Sequence, residues 1–209
     1  MSESRYPIPA GVHRVQETIQ RSRFITTLSH ASGSTPAHEF VKQIKEEFPD
    51  ATHHCWAFAA GPPGSTSQVG LSDDGEPHNT AGKPMLNALL HSGVGEIVAV
   101  CARYYGGVKL GTGGLSRAYS SGVKLALDSL PTEPKIGRIA VTIVIGYENV
   151  SEIQRVMAEM EVVVNTEAYG ERVQVRCRVP TVGFETFAAA VADATGGTGS
   201  VKKRSGGSA

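Results

Sequence analysis

The stretch LPTEPKIG, residues 130–137, constrains this chain more than any other. Two prolines and a glycine end a helical pattern, and a strongly β-branched run begins at Ile139, so the two flanks cannot belong to one continuous element. The stretch reads as a linker between a first domain, 1–132, and a second, 133–209. Each part must then bury a core of its own, and 40% hydrophobic content over 209 residues supplies the material.

The second part has the simpler pattern. RIAVTIVIGY (138–147) alternates as a strand does, and NVSEIQRVMAEM (149–160) places Val150, Ile153, Val156, Met157 and Met160 on one helical face. Two extended segments, 161–170 and 171–179, meet at Gly170, a helix follows from 181, and SVKKR (200–204) supplies a last strand. The order β-α-β-β-α-β is that of a ferredoxin-like sandwich, a fold with many uses.

In the first part, extended segments are expected near 12–19 and 24–30. A helix over 35–50 follows, with Ala37, Phe40, Val41, Ile44 and Phe48 on one face. Strands are expected at 53–61 and 68–72, and a short helix at 83–93. EIVAVCAR (96–103) is apolar on both faces and reads as a central strand. A last helix is expected over 115–130. The fold class is α+β, with the helices of the first domain expected on one side of its sheet.

Lys and Arg equal Asp and Glu, 20 against 20, and the balance holds on either side of Leu130, so bulk charge does not drive unspecific binding to nucleic acid. Between Lys83 and Lys124, however, the only acid is Glu96, against Lys83, Arg103, Lys109, Arg117 and Lys124. Cys55, Cys101 and Cys177 are widely spaced in apolar surroundings and are expected as free, buried thiols. No apolar run is long enough to cross a membrane and the amino terminus lacks a secretory pattern, so a cytoplasmic protein is expected.

The local excess of positive charge coincides with ARYYGGVKLGTGGLSRAY, residues 102–119. Here Gly106, Gly107, Gly111, Gly113 and Gly114 lie between a strand and a helix, where phosphate-binding loops occur. Thr112 stands where a P-loop needs lysine, and Ser116 where the dinucleotide fingerprint needs glycine, so neither ATP nor NAD is expected as a cofactor. Two readings remain: glycines that satisfy tight turns, or a cradle of open amides with Lys109 and Arg117 beside it. Tyr104 and Tyr105 could stack bases or merely cover the sheet.

Asp73, Asp74 and Glu76 crowd three carboxylates near Lys83, a pattern open to a cation site or to ordinary turn chemistry. His53 and Cys55 share a strand face, but two ligands do not make a structural zinc site, and no metal is expected.

Taken together, QRSRF (20–24), ATHHCWAF (51–58), SDDGEPHNTAGKPML (72–86) and ARYYGGVKLGTGGLSRAYSSGV (102–123) resemble the motif set of the IMPACT family in its bacterial form. His78 and Asn79 depart from it, standing where small residues are expected. The resemblance implies a first domain like domain 2 of a ribosomal small-subunit protein and like domain IV of elongation factor G. It implies a ferredoxin-like second domain similar to that factor's last domain. Eukaryotic relatives restrain a stress-activated kinase of translation initiation by competing for its co-activator and carry an extra amino-terminal domain that is not seen here, so that activity is not carried over.

The expected function is therefore that of a non-enzymatic, translation-linked regulator binding RNA or a ribosomal surface. Its expected site comprises Lys83, Arg103, Tyr104, Tyr105, Gly106, Gly107, Lys109, Gly111, Gly113 and Arg117. The alternative is an enzyme acting on a small phosphorylated or anionic ligand at the glycine loop, with Asp73, Asp74 or His54 assisting. A protein partner on the second domain is a further expectation.

Overall fold

The computed structural model describes residues 5–204, which form two compact units, Tyr6–Lys135 and the chain from Ile136 onward together with Arg5. The first unit contains β2 (His13–Ile19), β3 (Ser22–His30), α1 (Ser34–Glu47), β4 (His53–Ala59), β5 (Val69–Ser72), α2 (Gly82–Leu90), β6 (Ile97–Tyr104) and α3 (Gly111–Asp128). Its five-stranded sheet runs β2-β3-β6-β4-β5 with every neighbour antiparallel. β6 is central, as its apolar sequence requires.

The helices cover both faces of this sheet, not one. Ile97, Ala99 and Cys101 of β6 pack with Met85, Leu89, Leu115, Tyr119 and Val123 beneath α2 and α3. Val98 and Val100, pointing the other way, pack with Ala37, Phe40, Val41 and Ile44 of α1. A strand apolar on both faces needs cover on both, and α1 supplies the second.

The segment read as a linker is itself a strand. β7 (Thr132–Ile136) pairs with β1 (Arg5–Pro9) in a two-stranded ribbon. Both strands carry prolines, which a ribbon tolerates because each strand is an edge with unpaired positions. Glu96 anchors the ribbon, accepting from the Tyr6 hydroxyl at 2.8 Å and from Lys135 Nζ at 3.0 Å, and it pairs with His30 Nε2 at 2.7 Å.

The second unit is the expected ferredoxin-like sandwich: β8 (Arg138–Ile145), α4 (Val150–Glu159), β9 (Val163–Tyr169), β10 (Val173–Pro180), α5 (Phe184–Ala194) and β11 (Ser200–Lys203). The antiparallel sheet runs β11-β8-β10-β9. Val141, Ile143, Ile145, Val173, Val175 and Val179 face Ile153, Met157, Phe187 and Val191 of the two helices in a core of its own.

Candidate functional site

The acidic stretch after β5 makes no common cation cage. Asp73 accepts N–H groups of Asn79 (2.7 Å), Ala81 (2.9 Å) and Gly82 (2.9 Å), thereby closing the start of α2 from a distance in sequence. Burial raises its carboxyl pKa, but these backbone bonds prevail and hold it below the ordinary aspartate value. Asp74 accepts the His54 N–H at 2.7 Å and Lys45 Nζ at 2.9 Å, and burial is again outweighed, leaving a lowered pKa. Glu76 points elsewhere, into the interior, where its Oε1 accepts from Arg103 Nη1 and from the Tyr119 hydroxyl at 2.7 Å. Among the described residues no group of three or more His, Cys, Asp or Glu is arranged to hold a metal ion.

The cationic set divides. Arg103, at the end of β6, is 4% exposed and paired with Glu76, so it props the site from beneath and offers no free charge. Tyr104 lies under the Arg23 guanidinium, 4.1 Å from its ring centroid, and donates to Asp50, so one face of its ring and its hydroxyl are already engaged. Tyr105 is 46% exposed, with Arg103 Cζ 5.6 Å from its ring centroid. Its N–H donates to Thr52 Oγ1 at 3.1 Å, fixing the backbone at the strand end. Lys83 is exposed near the start of α2.

The glycines do two jobs. A Cβ at Gly106 would collide with the Arg21 carbonyl, so this position is glycine because two backbones touch. Gly107 and Gly111 have φ of +83° and +71° with nothing within 4 Å of a built Cβ. They turn the chain so that α3 starts at Gly111, one turn earlier than the sequence suggests. Gly111, Thr112, Gly113 and Gly114 thus form the first turn. Leu110 at the N-cap has no side-chain hydrogen bond, and no acid lies in that turn. Its amides carry the positive end of the helix dipole with small residues over them, and Lys109 immediately precedes.

These features open on one cleft of about 480 Å³ lined by Tyr105, Lys109, Gly111, Thr112, Leu115, Pro77, Thr52 and His53, with Glu76 and Arg103 at its base. Arg117, exposed on α3, lies instead with Lys124 in a shallower depression shared with Asn87, Ser116 and Ser120. Lys109 and Arg117 therefore address different surfaces, and Lys83 lines neither.

His53 was weighed from sequence only as a zinc ligand; the fold gives it another place. Its Nδ1–H donates to the Asp74 carbonyl at 2.8 Å, which leaves Nε2 without a hydrogen-bond partner among the described residues, on a ring that lines the cleft. Its neighbours are not available for chemistry. His54 is buried with Nε2 2.9 Å from the Phe48 carbonyl, and Cys55 is buried with its thiol, pushed up by burial, donating to the Asp73 carbonyl.

The cleft and its supports fall within residues 20–127, which match the model of the Impact N-terminal domain. The chain belongs to the IMPACT family. A second model, described as a domain of unknown function, matches residues 143–198. The chain is 44% identical to IMPACT family member YigZ of Escherichia coli, over 91% of this chain and 94% of that protein. It is 40% identical to an IMPACT family member of Haemophilus influenzae, over 93% and 94% respectively. A crystal structure described as that of a hypothetical protein superposes with a TM-score of 0.70 at 42% identity, covering 96% of this chain and 97% of that one. In this IMPACT fold, Glu76 from the loop before α2, Arg103 of β6 and Tyr119 of α3 form a buried polar support, and Glu76 and Arg103 line the same cleft as Gly111 and Thr112.

Proposed function

We propose that this IMPACT protein is a non-enzymatic, translation-linked regulator that binds RNA through the cleft at the start of α3. The supporting observation is that an exposed ring, Tyr105, an exposed cation, Lys109, and the uncapped amides of a glycine turn line one concavity. A base stacked on Tyr105 would place its phosphate toward Lys109 and the α3 amides. Stacking and phosphate contact are the two terms by which single-stranded RNA is held. Arg117 and Lys124 would meet the strand only outside the cleft.

Co-sedimentation with ribosomes and anisotropy with a short RNA test this. Tyr105→Ala should weaken binding about tenfold, within the range of one lost stack, and Lys109→Gln should flatten the salt dependence by about 0.7 in log–log slope. Binding that is absent, or indifferent to both changes, removes the reading.

The position of His53 favours one alternative, an enzyme acting on a small phosphate ester held in the same cleft, with Nε2 as a base. A rise in melting temperature with nucleoside monophosphates, but none with RNA, would select it.

A further inference from the structure

In the second unit, α4 and α5 cover one face of the sheet and leave the other without a layer of its own. Directly opposite residues of antiparallel strands share a face, so the register assigns each side chain. Arg176 of β10 stands opposite Thr142 of β8, which stands opposite Lys202 of β11, while Arg178 stands opposite Ala140. Gln174 is opposite Val144. On β9 the residues of this face are Val163, Thr166 and Ala168, so no strand residue here is acidic. Arg176, Arg178 and Lys202 are exposed. The ion pairs of this unit engage Arg5, Arg155 and Lys203, leaving those three without one among the described residues.

We infer that this open face is a second, separate RNA-binding surface, which grips the phosphate backbone of a single strand through Arg176, Arg178 and Lys202. Two residues apart on a strand, Arg176 and Arg178 are roughly 7 Å from each other, and Lys202 lies roughly 10 Å across the sheet from Arg176. The first spacing is close to that of successive phosphates in an extended strand. Ala140, Thr142 and Val144 form a low floor between the cations, so a chain can lie across them. A protein partner would require apolar or aromatic anchors at the centre of the patch, where this face has Thr142 flanked by cations. With no aromatic ring on the face, binding there depends on charge and is indifferent to base sequence.

The surface uses none of the cleft residues and stands independently of the proposed cleft function. The test uses the full chain, a labelled uridine oligomer of about sixteen nucleotides, and anisotropy between about 50 and about 200 mM salt. Arg176→Gln with Arg178→Gln should lower the log–log salt slope by about 1.4, so that the loss of affinity across that range shrinks by roughly sevenfold. Arg176→Lys with Arg178→Lys should retain binding. An unchanged slope in the Gln pair, with unchanged melting, overturns the inference even where Lys109→Gln shows the cleft to bind RNA. Equal binding of a labelled polyglutamate of the same charge would also overturn it, because the surface would then take any acidic chain.

Discussion

At the residue scale, the buried Arg103–Glu76 pair explains why so conspicuous an arginine is not a ligand-binding charge. Its guanidinium reaches Glu76 and Ser22, and Glu76 is further held by Tyr119, so both charges are compensated inside the fold. Glu76→Gln leaves the guanidinium buried without its counter-charge and should cost about 3 kcal/mol, seen as a lower urea midpoint at unchanged slope. Asp73 makes a different prediction. Its folded pKa lies below the unfolded value of about 3.9, so it adds stability above that pH and loses it as pH falls through the folded pKa. Asp73→Asn should therefore flatten the acid side of the stability–pH curve, and melting between neutral pH and pH ~3 measures it. Neither role was readable in DDGE, because the partners of Asp73 and Glu76 come from the loop into α2, from β6 and from α3, and a run of carboxylates does not state which groups each one will meet.

At the element scale, the start of α3 is where sequence reasoning and structure part most instructively. Glycine is a poor helix former, which placed the expected helix start at Leu115, yet the turn from Gly111 is helical and leaves its amides uncovered. Gly113 has no positive φ, and a Cβ there would meet only Arg117 Nη1 at 3.6 Å, an ordinary contact. Gly113→Ala should then raise stability by about 0.5–1 kcal/mol while weakening RNA binding, since a methyl group would stand beside the amides. A variant that gains stability and keeps full affinity would dissociate those amides from binding. Gly106→Ala behaves oppositely: the added carbon meets Arg21 backbone that cannot yield, so the protein should lose stability without any ligand present. The other elements were legible where periodicity was long, as in α1 and β6. β1 and β7 were not, because their prolines carry the signature of a linker and only pairing with each other makes them strands.

At the scale of the molecule, the cores of the two units share no residue: the first has a cluster on each face of the five-stranded sheet, and the second has one on β8 and β10 with α4 and α5. The two units divide between Lys135 and Ile136, and the ferredoxin-like order of the second was legible from strand alternation and helical spacing together. The two-sided cover of the first sheet was implicit in β6, whose odd and even residues are both apolar. The cysteines make the two cores separately observable. Cys55 and Cys101 lie in the first core and Cys177 in the second, all three are buried, and burial raises each thiol, Cys101 to about 12 and Cys177 to about 11. Thiolates form the reactive species, so a native chain at neutral pH should resist alkylation at all three. In rising urea, brief alkylation followed by mass mapping should label Cys177 at a lower concentration than Cys55 and Cys101, because the smaller unit buries less apolar surface. One shared midpoint would mean that the units unfold as a single cooperative body despite having separate cores.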